Sequence, residues 1–420
     1  AAHLTGYIGP INEEEVDQFE FQGYRSSDWL GRDGVEKTYE NYLKGRSGGL
    51  QMEVNNRGRF VRALGVQEPK EGRDIQLTID AELQSFIHQL MASQKGAVMV
   101  MELEEGGILA MNSAPSFDPN LFASTAGRNN VGKYITDALS PMMNRCIRGQ
   151  YPAGSIFKIV TALAALESHK ISAHSWITCG GHWTSGGIRF HCWNEKGHGP
   201  QDMTQAFAHS CNVFFYTIGV STGVDAIQKK AMEFGFGRRA GIDLAGESLG
   251  VVPSREWKKK TKRAGWFDGD TANLSIGQGF LQVTPLQTLE MIAAVATDGQ
   301  WLKPHVLDKI DGIKVSERHA ASVRVNAEDL ALVKQGLDQV VNSETGTGRL
   351  ARVEGLRIAG KTGTAQSGQD KNHAWFVGYA PTDRPKFAVL VFAEHGGRGG
   401  VTAASLAGSV FHWLKEKAYF

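Results

Sequence analysis

Three short stretches carry residue types that can do chemistry together. In Tyr151-Pro152-Ala153-Gly154-Ser155-Ile156-Phe157-Lys158, Pro and Gly end a loop and Ser155 stands where an apolar helix should begin. Lys158 follows three residues on, so the two side chains share one helix face. A serine hydroxyl becomes a nucleophile when a neighbouring base takes its proton. A lysine serves as that base once burial or nearby cations depress its pKa. Backbone N–H groups at a helix start can hold a developing oxyanion. Alone, the pair reads more simply as a Ser N-cap beside a solvated Lys. In Ser210-Cys211-Asn212, two small polar groups flank one residue and can face one space, to relay a proton and hold an amide carbonyl. Isolated, that tripeptide is a helix cap or a polar loop pair. Lys361-Thr362-Gly363-Thr364 is expected at the end of an apolar strand. It offers a fixed cation, hydroxyls for a carboxylate, and a Gly that lets a substrate backbone approach. An exposed strand end is the bland alternative.

The elements around these residues are expected as follows. Residues 1–70 are polar and Gly-rich, with a charged helix near 35–44, a hairpin around Val54 to Phe60, and a linker at Pro69 to Gly72. Asp80 is placed to cap a helix carrying Leu83, Phe86, Ile87 and Leu90. Ala97–Met101 and Ile108–Met111 read as two strands around a Gly turn. Helices are expected over 155–167, 204–219, 284–297 and 401–417, and strands over 356–360, 375–378 and 387–392. Hairpin-connected strands imply an antiparallel sheet flanked by helices, an α+β class, and the long middle must fold as a separate all-α lobe. A cleft between lobe and sheet is the default place for a site.

The three motifs in this order, each in its proper context, form the set Ser-x-x-Lys, Ser-x-Asn and Lys-Thr-Gly found in penicillin-binding proteins and class A β-lactamases. Over nearly its whole length the sequence resembles the penicillin-binding protein transpeptidases. Gly31-Arg32-Asp33-Gly34-Val35-Glu36-Lys37-Thr38-Tyr39-Glu40 is similar to the signature of the non-catalytic N-terminal module of the class B type. Leu77-Thr78-Ile79-Asp80, Ser116-Phe117-Asp118-Pro119-Asn120, Gly277-Gln278-Gly279 and Thr284-Pro285-Leu286-Gln287 also resemble that family. Glu53-Val54-Asn55-Asn56-Arg57-Gly58-Arg59 is closer to elongation-type enzymes, the penicillin-binding protein 2 kind, than to septal ones. Cys211 stands where class A lactamases carry Asp, a position that varies among transpeptidases.

The resemblance implies a non-catalytic module over 1–70 and a transpeptidase domain over 71–420 that cross-links peptidoglycan. Ser155 would attack the D-Ala-D-Ala carbonyl of a donor stem peptide, with Lys158 as base and Ser210 and Asn212 assisting. Lys361, Thr362, Gly363 and Thr364 would bind the terminal carboxylate end, and the N–H groups of Ser155 and Thr364 would form the oxyanion hole. β-Lactams would leave Ser155 acylated. No cofactor is needed for catalysis. Implied partners are a membrane-embedded SEDS-family glycosyltransferase and elongation-complex proteins. The implied place is the inner membrane with the catalytic domain in the periplasm; the family's cytoplasmic tail and anchor are absent from these residues, so the chain is expected to be an exported ectodomain without its anchor. Two alternatives remain: a serine β-lactamase or D,D-carboxypeptidase, and a β-lactam sensor or scaffold acylated without turnover. The N-terminal module argues against the first and the intact motifs against the second.

Composition excludes other classes. The chain has 420 residues, 45 basic and 44 acidic, for a net charge of +1. A nucleic-acid binder would need a strong basic footprint, and the aromatics form no stacking platform. Hydrophobics at 41% allow a sizeable core. No stretch reaches the roughly 18–20 apolar residues of a spanning helix. The run Lys258-Lys259-Lys260-Thr261-Lys262-Arg263 reads as a solvated loop. One cluster stands out: Cys179, Cys192 and Cys211, with five of the 13 His, fall within residues 174–211. Cys179, Cys192, His198 and Cys211 make a closed tetrahedral zinc set. A Cys179–Cys192 disulfide or simply buried thiols compete with it. Elongation-type enzymes resembling this chain hold zinc near this place, which favours a structural zinc. Cys146 stands apart as a small buried hydrophobe.

Overall fold

The computed structural model describes residues 1–420 except 20–22, 125–126, 316–320 and 369–370. Its core is a five-stranded antiparallel sheet. The strand order is Ala359–Ala365, His373–Ala380, Phe387–Ala393, Gly96–Glu102, Ile108–Ala114. The strand Phe387–Ala393 is buried at every position, as is His373–Ala380. That explains the continuous apolar run Phe387-Ala388-Val389-Leu390-Val391-Phe392: both faces are covered, so no polar alternation survives. Ala81–Leu90, which starts with Asp80 accepting from the Leu83 N–H as expected, packs on the last strand. Thr402–Glu416 packs on the sheet through Ala403, Ala407, Val410, Phe411 and Leu414.

Pro285–Ala296 is buried along its entire length against the sheet. The Thr-Pro-Leu-Gln sequence explains its start. Thr284 Oγ1 accepts from Gln287 N–H at 3.2 Å and Gln287 Oε1 accepts from Thr284 N–H at 3.0 Å, with Pro285 in the first turn. The Gln287 amide also donates to the carbonyls of Arg238 and Leu249, tying the helix to the loop before it.

The lobe expected to be all-α carries a β excursion. Ile177–Cys179 pairs with Gly199–Gln201, and His182–Ser185 pairs with Ile188–His191. The lysine run is also not a loop. It forms the helix Arg255–Lys262, and Lys258 is buried with its ammonium 2.5 Å from Asp270 and facing the rings of Trp266, Phe267 and Phe280. A buried ion pair lined with aromatic faces takes Lys258 alone out of solvent, while Lys259, Lys260, Thr261, Lys262 and Arg263 are exposed as expected.

The N-terminal residues form small helices and a two-stranded pair, then the hairpin Gly49–Val54 with Phe60–Gln67. The 35–44 helix is broken in two at Tyr39. Tyr39 donates to Asp243, Arg148 reaches Asp33 at 2.5 Å, and His3 Nε2 meets the Pro141 carbonyl at 2.7 Å, so this module is docked on the rest.

Candidate active site

Ser155 lies in a 3-10 turn, Gly154–Phe157, that runs into the α-helix Lys158–Glu167. Lys158, not Ser155, opens the α-helix. The turn is held from two sides. Gly154 has φ +58° and its N–H donates to the Gly277 carbonyl at 2.9 Å. Gly277, at φ +72°, lies so close that a Cβ would come within 2.1 Å of the Gly154 oxygen. Only glycine fits there without displacing the nucleophile turn. Tyr151, just upstream, exchanges two backbone bonds with Val283, and the Trp375 indole donates to the Pro152 carbonyl at 3.1 Å.

The helix expected over 204–219 is two helices, Met203–Ala208 and Asn212–Thr222, separated at Ser210. Ser210 has φ +51°, a left-handed conformation that costs a non-glycine residue about 1–2 kcal/mol. The kink turns Ser210 and Asn212 toward Lys158 and sends Cys211 behind them. Lys158 Nζ donates to the Ser210 carbonyl at 2.8 Å, to Ser210 Oγ at 3.2 Å and to Asn212 Oδ1 at 2.8 Å. Three acceptors match the three donors of an ammonium.

Lys361 completes the cluster. Lys-Thr-Gly lies in the middle of the strand Ala359–Ala365 rather than at its end. Lys361 Nζ donates to Ser210 Oγ at 3.0 Å and to the Thr362 carbonyl at 3.1 Å. Ser210 Oγ therefore sits between two lysine nitrogens. Strand alternation sends the threonines the other way. Thr362 donates to Thr347 Oγ1 at 2.9 Å, and exposed Thr364 accepts from the Gly399 N–H at 3.1 Å. Gly363, between them, backs onto the Ala153 carbonyl and Ile156 of the nucleophile segment.

Both lysines are fully buried. Burial brings the Lys158 ammonium down to about 8, against an opposing pull from Cys211, Cys192 and Cys179. Burial, and then the charge of Lys158, holds Lys361 well below the usual lysine range. No carboxylate is among the charges that bear on either nitrogen among the described residues. Lys158 is thus poised to lose a proton near neutral pH, as a general base must.

Behind this wall, Cys179, Cys192, His198 and Cys211 converge, with their ligand atoms all within 4.8 Å of one another. His198 Nδ1 stands 3.6 Å from both Cys179 Sγ and Cys192 Sγ. A thiolate and an imidazole bound tetrahedrally to one zinc, at about 2.3 and 2.0 Å, would stand about 3.5 Å apart, so the donor set fits the metal. All four cysteines are free, and Cys146 is buried apart, its thiol toward the Asn112 carbonyl. A hydrogen bond from Cys211 holds the Cys192 thiol far below its usual range, with Cys211 raised in turn. His198 stacks on His209, whose ring bridges Gln201 Oε1 at 2.6 Å and Thr345 Oγ1 at 3.0 Å.

Several of these residues escaped the sequence reading. Thr345 and Thr347 lie in a loop with no motif of its own, and His209 looked like one more histidine of a crowded segment. Gly277 lies in Gly277-Gln278-Gly279, one of the family-like stretches, yet its bracing role depends on a contact that spacing does not reveal.

Comparison with known proteins agrees with this arrangement. Residues 96–412 match the penicillin binding protein transpeptidase domain, and residues 1–77 match the penicillin-binding protein dimerisation domain. The chain is 34% identical to the peptidoglycan D,D-transpeptidase MrdA of Haemophilus influenzae, over 99% of this chain and 68% of that protein. It is 35% identical to the protein of that name from Acinetobacter baumannii, over 98% of this chain and 64% of the relative. Against Pseudomonas aeruginosa PBP2 in complex with WCK 5153 the TM-score is 0.88, with 34% identity, covering 98% of this chain and 88% of that one. Against PBP2 of Helicobacter pylori in its complex with MreC it is 0.90, with 30% identity, covering 100% and 78%. With the motifs converging in space and these relatives aligned along nearly the entire sequence, the chain belongs to the penicillin-binding protein transpeptidase family.

Proposed function

We propose that this chain is a serine D,D-transpeptidase that cross-links peptidoglycan stem peptides in cell-wall elongation, through an acyl-enzyme on Ser155. The observation that carries the reading is the buried Lys158 nitrogen gathered with Ser210, Asn212 and Lys361 beside the Ser155 turn. Lys158, once neutral, takes the Ser155 proton as Oγ attacks the penultimate D-Ala carbonyl. Ser210 Oγ relays that proton toward the departing D-Ala nitrogen, with Lys361 donating to it. The N–H groups of Ser155 and Thr364 hold the oxyanion. D-Ala leaves with that proton; an amine of a neighbouring stem peptide then attacks the ester carbonyl, the bond from that carbon to Ser155 Oγ breaks, and the proton shed by the amine returns by way of Lys158 to Ser155 Oγ. The relatives named peptidoglycan D,D-transpeptidase support an amine rather than water as acceptor.

Cys179, Cys192, His198 and Cys211 are proposed to hold one structural zinc. Bound there, it supplies only cross-linking of the 177–201 excursion to Cys211, between Ser210 and Asn212. The division at residue 70, a periplasmic catalytic domain on an inner-membrane protein, and association with a SEDS-type glycosyltransferase are part of the same reading. The Helicobacter relative bound to MreC supports an elongation complex. No helix among the described residues is long and apolar enough to cross a membrane.

The test is intact mass after incubation with benzylpenicillin, followed by peptide mapping and an amine-acceptor assay with a stem-peptide donor. One adduct on Ser155 and transfer to the amine are expected. Labelling elsewhere, or hydrolysis alone, overturns the reading. Metal analysis of untagged protein should find one zinc per chain, lost in Cys192→Ser. A metal-free chain with a Cys179–Cys192 disulfide would overturn the zinc assignment.

A further inference from the structure

The Lys-Thr-Gly strand presents hydroxyls without a cation beside them. Lys361 is fully buried, and its nitrogen is committed to Ser210 Oγ and the Thr362 carbonyl on the inner face. Thr364 lies exposed on the other face, and its oxygen accepts from the Gly399 N–H at 3.1 Å. That leaves the Thr364 hydroxyl proton free to donate outward. A carboxylate received there needs a positive charge, and the neighbouring loop offers one.

That loop is Gly396-Gly397-Arg398-Gly399-Gly400, and Arg398 is its sole side chain. Its backbone is fixed. Gly397 N–H donates to Asn372 at 2.9 Å, Val401 and Thr402 both donate to the Arg398 carbonyl at 3.0 Å, and Ala404 donates to Gly399 at 2.9 Å. The Arg398 side chain is exposed and has neither ion pair nor hydrogen bond among the described residues. Arg398 is the residue whose carbonyl carbon carries the very nitrogen that meets Thr364, so its guanidinium is tethered within reach of that hydroxyl. Glycines on both sides keep Cβ atoms from crowding the approach.

We propose that Arg398 is a specificity-determining residue: its guanidinium pairs with the terminal carboxylate of the peptide substrate, or the equivalent carboxylate of a β-lactam, alongside Thr364. The inference rests on the transpeptidase reading above and assigns one further side chain to it. A planar guanidinium takes a carboxylate through two parallel bonds, which a hydroxyl alone cannot offer.

The experiment measures the dissociation constant and the acylation constant for benzylpenicillin and for its methyl ester, in wild type, Arg398→Gln and Arg398→Lys. For the free acid, Arg398→Gln should weaken binding about tenfold and leave the acylation constant in place, while the ester is unaffected. Arg398→Lys should recover part of the loss. Unchanged binding of the acid by Arg398→Gln overturns the proposal, as does an equal loss for acid and ester, which would mark a disturbed loop. If wild type is not acylated on Ser155, the transpeptidase reading falls and this inference with it. Wild-type labelling with an indifferent Arg398→Gln sinks this inference alone.

Discussion

Lys158 owes its chemistry to where its nitrogen lies. Burial brings it to about 8, so the neutral fraction grows as pH rises through that value. Acylation of Ser155 by penicillin should therefore climb from pH 6 and level off above about 8; a flat profile over that range would remove Lys158 as the base. Lys158→Arg keeps the charge and cannot deprotonate, so acylation should fall about 10²–10⁴-fold in stopped-flow measurements. Ser155→Ala should lose the adduct altogether while keeping its melting temperature. At this scale the sequence was legible because each motif is local: Ser155 and Lys158, or Ser210 and Asn212, are neighbours whatever the fold. Thr347, Gly277 and Gly399 were not legible as site residues, because topology alone brings them to Thr362, Gly154 and Thr364.

Elements with a chemical start were read well. Asp80 and Thr284 cap the helices they precede, and the strands expected over 375–378 and 387–392 lie within His373–Ala380 and Phe387–Ala393. The break at Ser210 was missed because a left-handed serine leaves the apolar period on either side intact. The 177–201 strands were missed because runs of three or four residues carry too little alternation. The brace on the nucleophile turn yields a prediction at this scale. Gly277→Ala puts a Cβ against the Gly154 oxygen, 2.1 Å away in the present geometry. Acylation should drop at least about tenfold, since displacement of a nucleophile is felt steeply. A wild-type rate would mean the turn is not braced there. In the helix Pro285–Ala296, Glu290 is fully buried, and neither carboxyl oxygen has a partner among the described residues. Burial raises it well above its ordinary 4.5. The folded state keeps a proton that the unfolded chain releases, so stability is lost as pH rises above 4.5. Glu290→Gln should remove that loss and stabilise the protein by about 1–3 kcal/mol at pH 7, read from denaturant curves at pH 5 and 8.

At the scale of the molecule, the α+β class, the sheet and the separate lobe were legible, because hairpin-spaced apolar strands and long helices each carry their own period. How the N-terminal module docks was not, since it does so through scattered polar pairs and a few packing contacts, Leu4 and Val35 in the core and His3 and Tyr7 against Phe117, that form no readable period. Tyr39→Phe removes one of the polar pairs, the bond to Asp243, which also accepts from the Val306 and Leu307 N–H groups. Stability should fall by about 1 kcal/mol with penicillin acylation unchanged; a loss of acylation would instead couple the module to the site. The sheet itself has a further consequence. Its middle pairing joins Val98 to Val391 and Ala97 to Phe392, strands from opposite ends of the domain. A chain emerging from its N-terminus can wind the lobe's helices as they appear, but the strands 96–114 must wait with an open edge until the last third has arrived. Closing so distant a contact is slow, and an unpaired apolar strand is sticky meanwhile. This protein therefore has most need of a holding chaperone while it is being made, and pausing late in synthesis is the event most able to send it into aggregates.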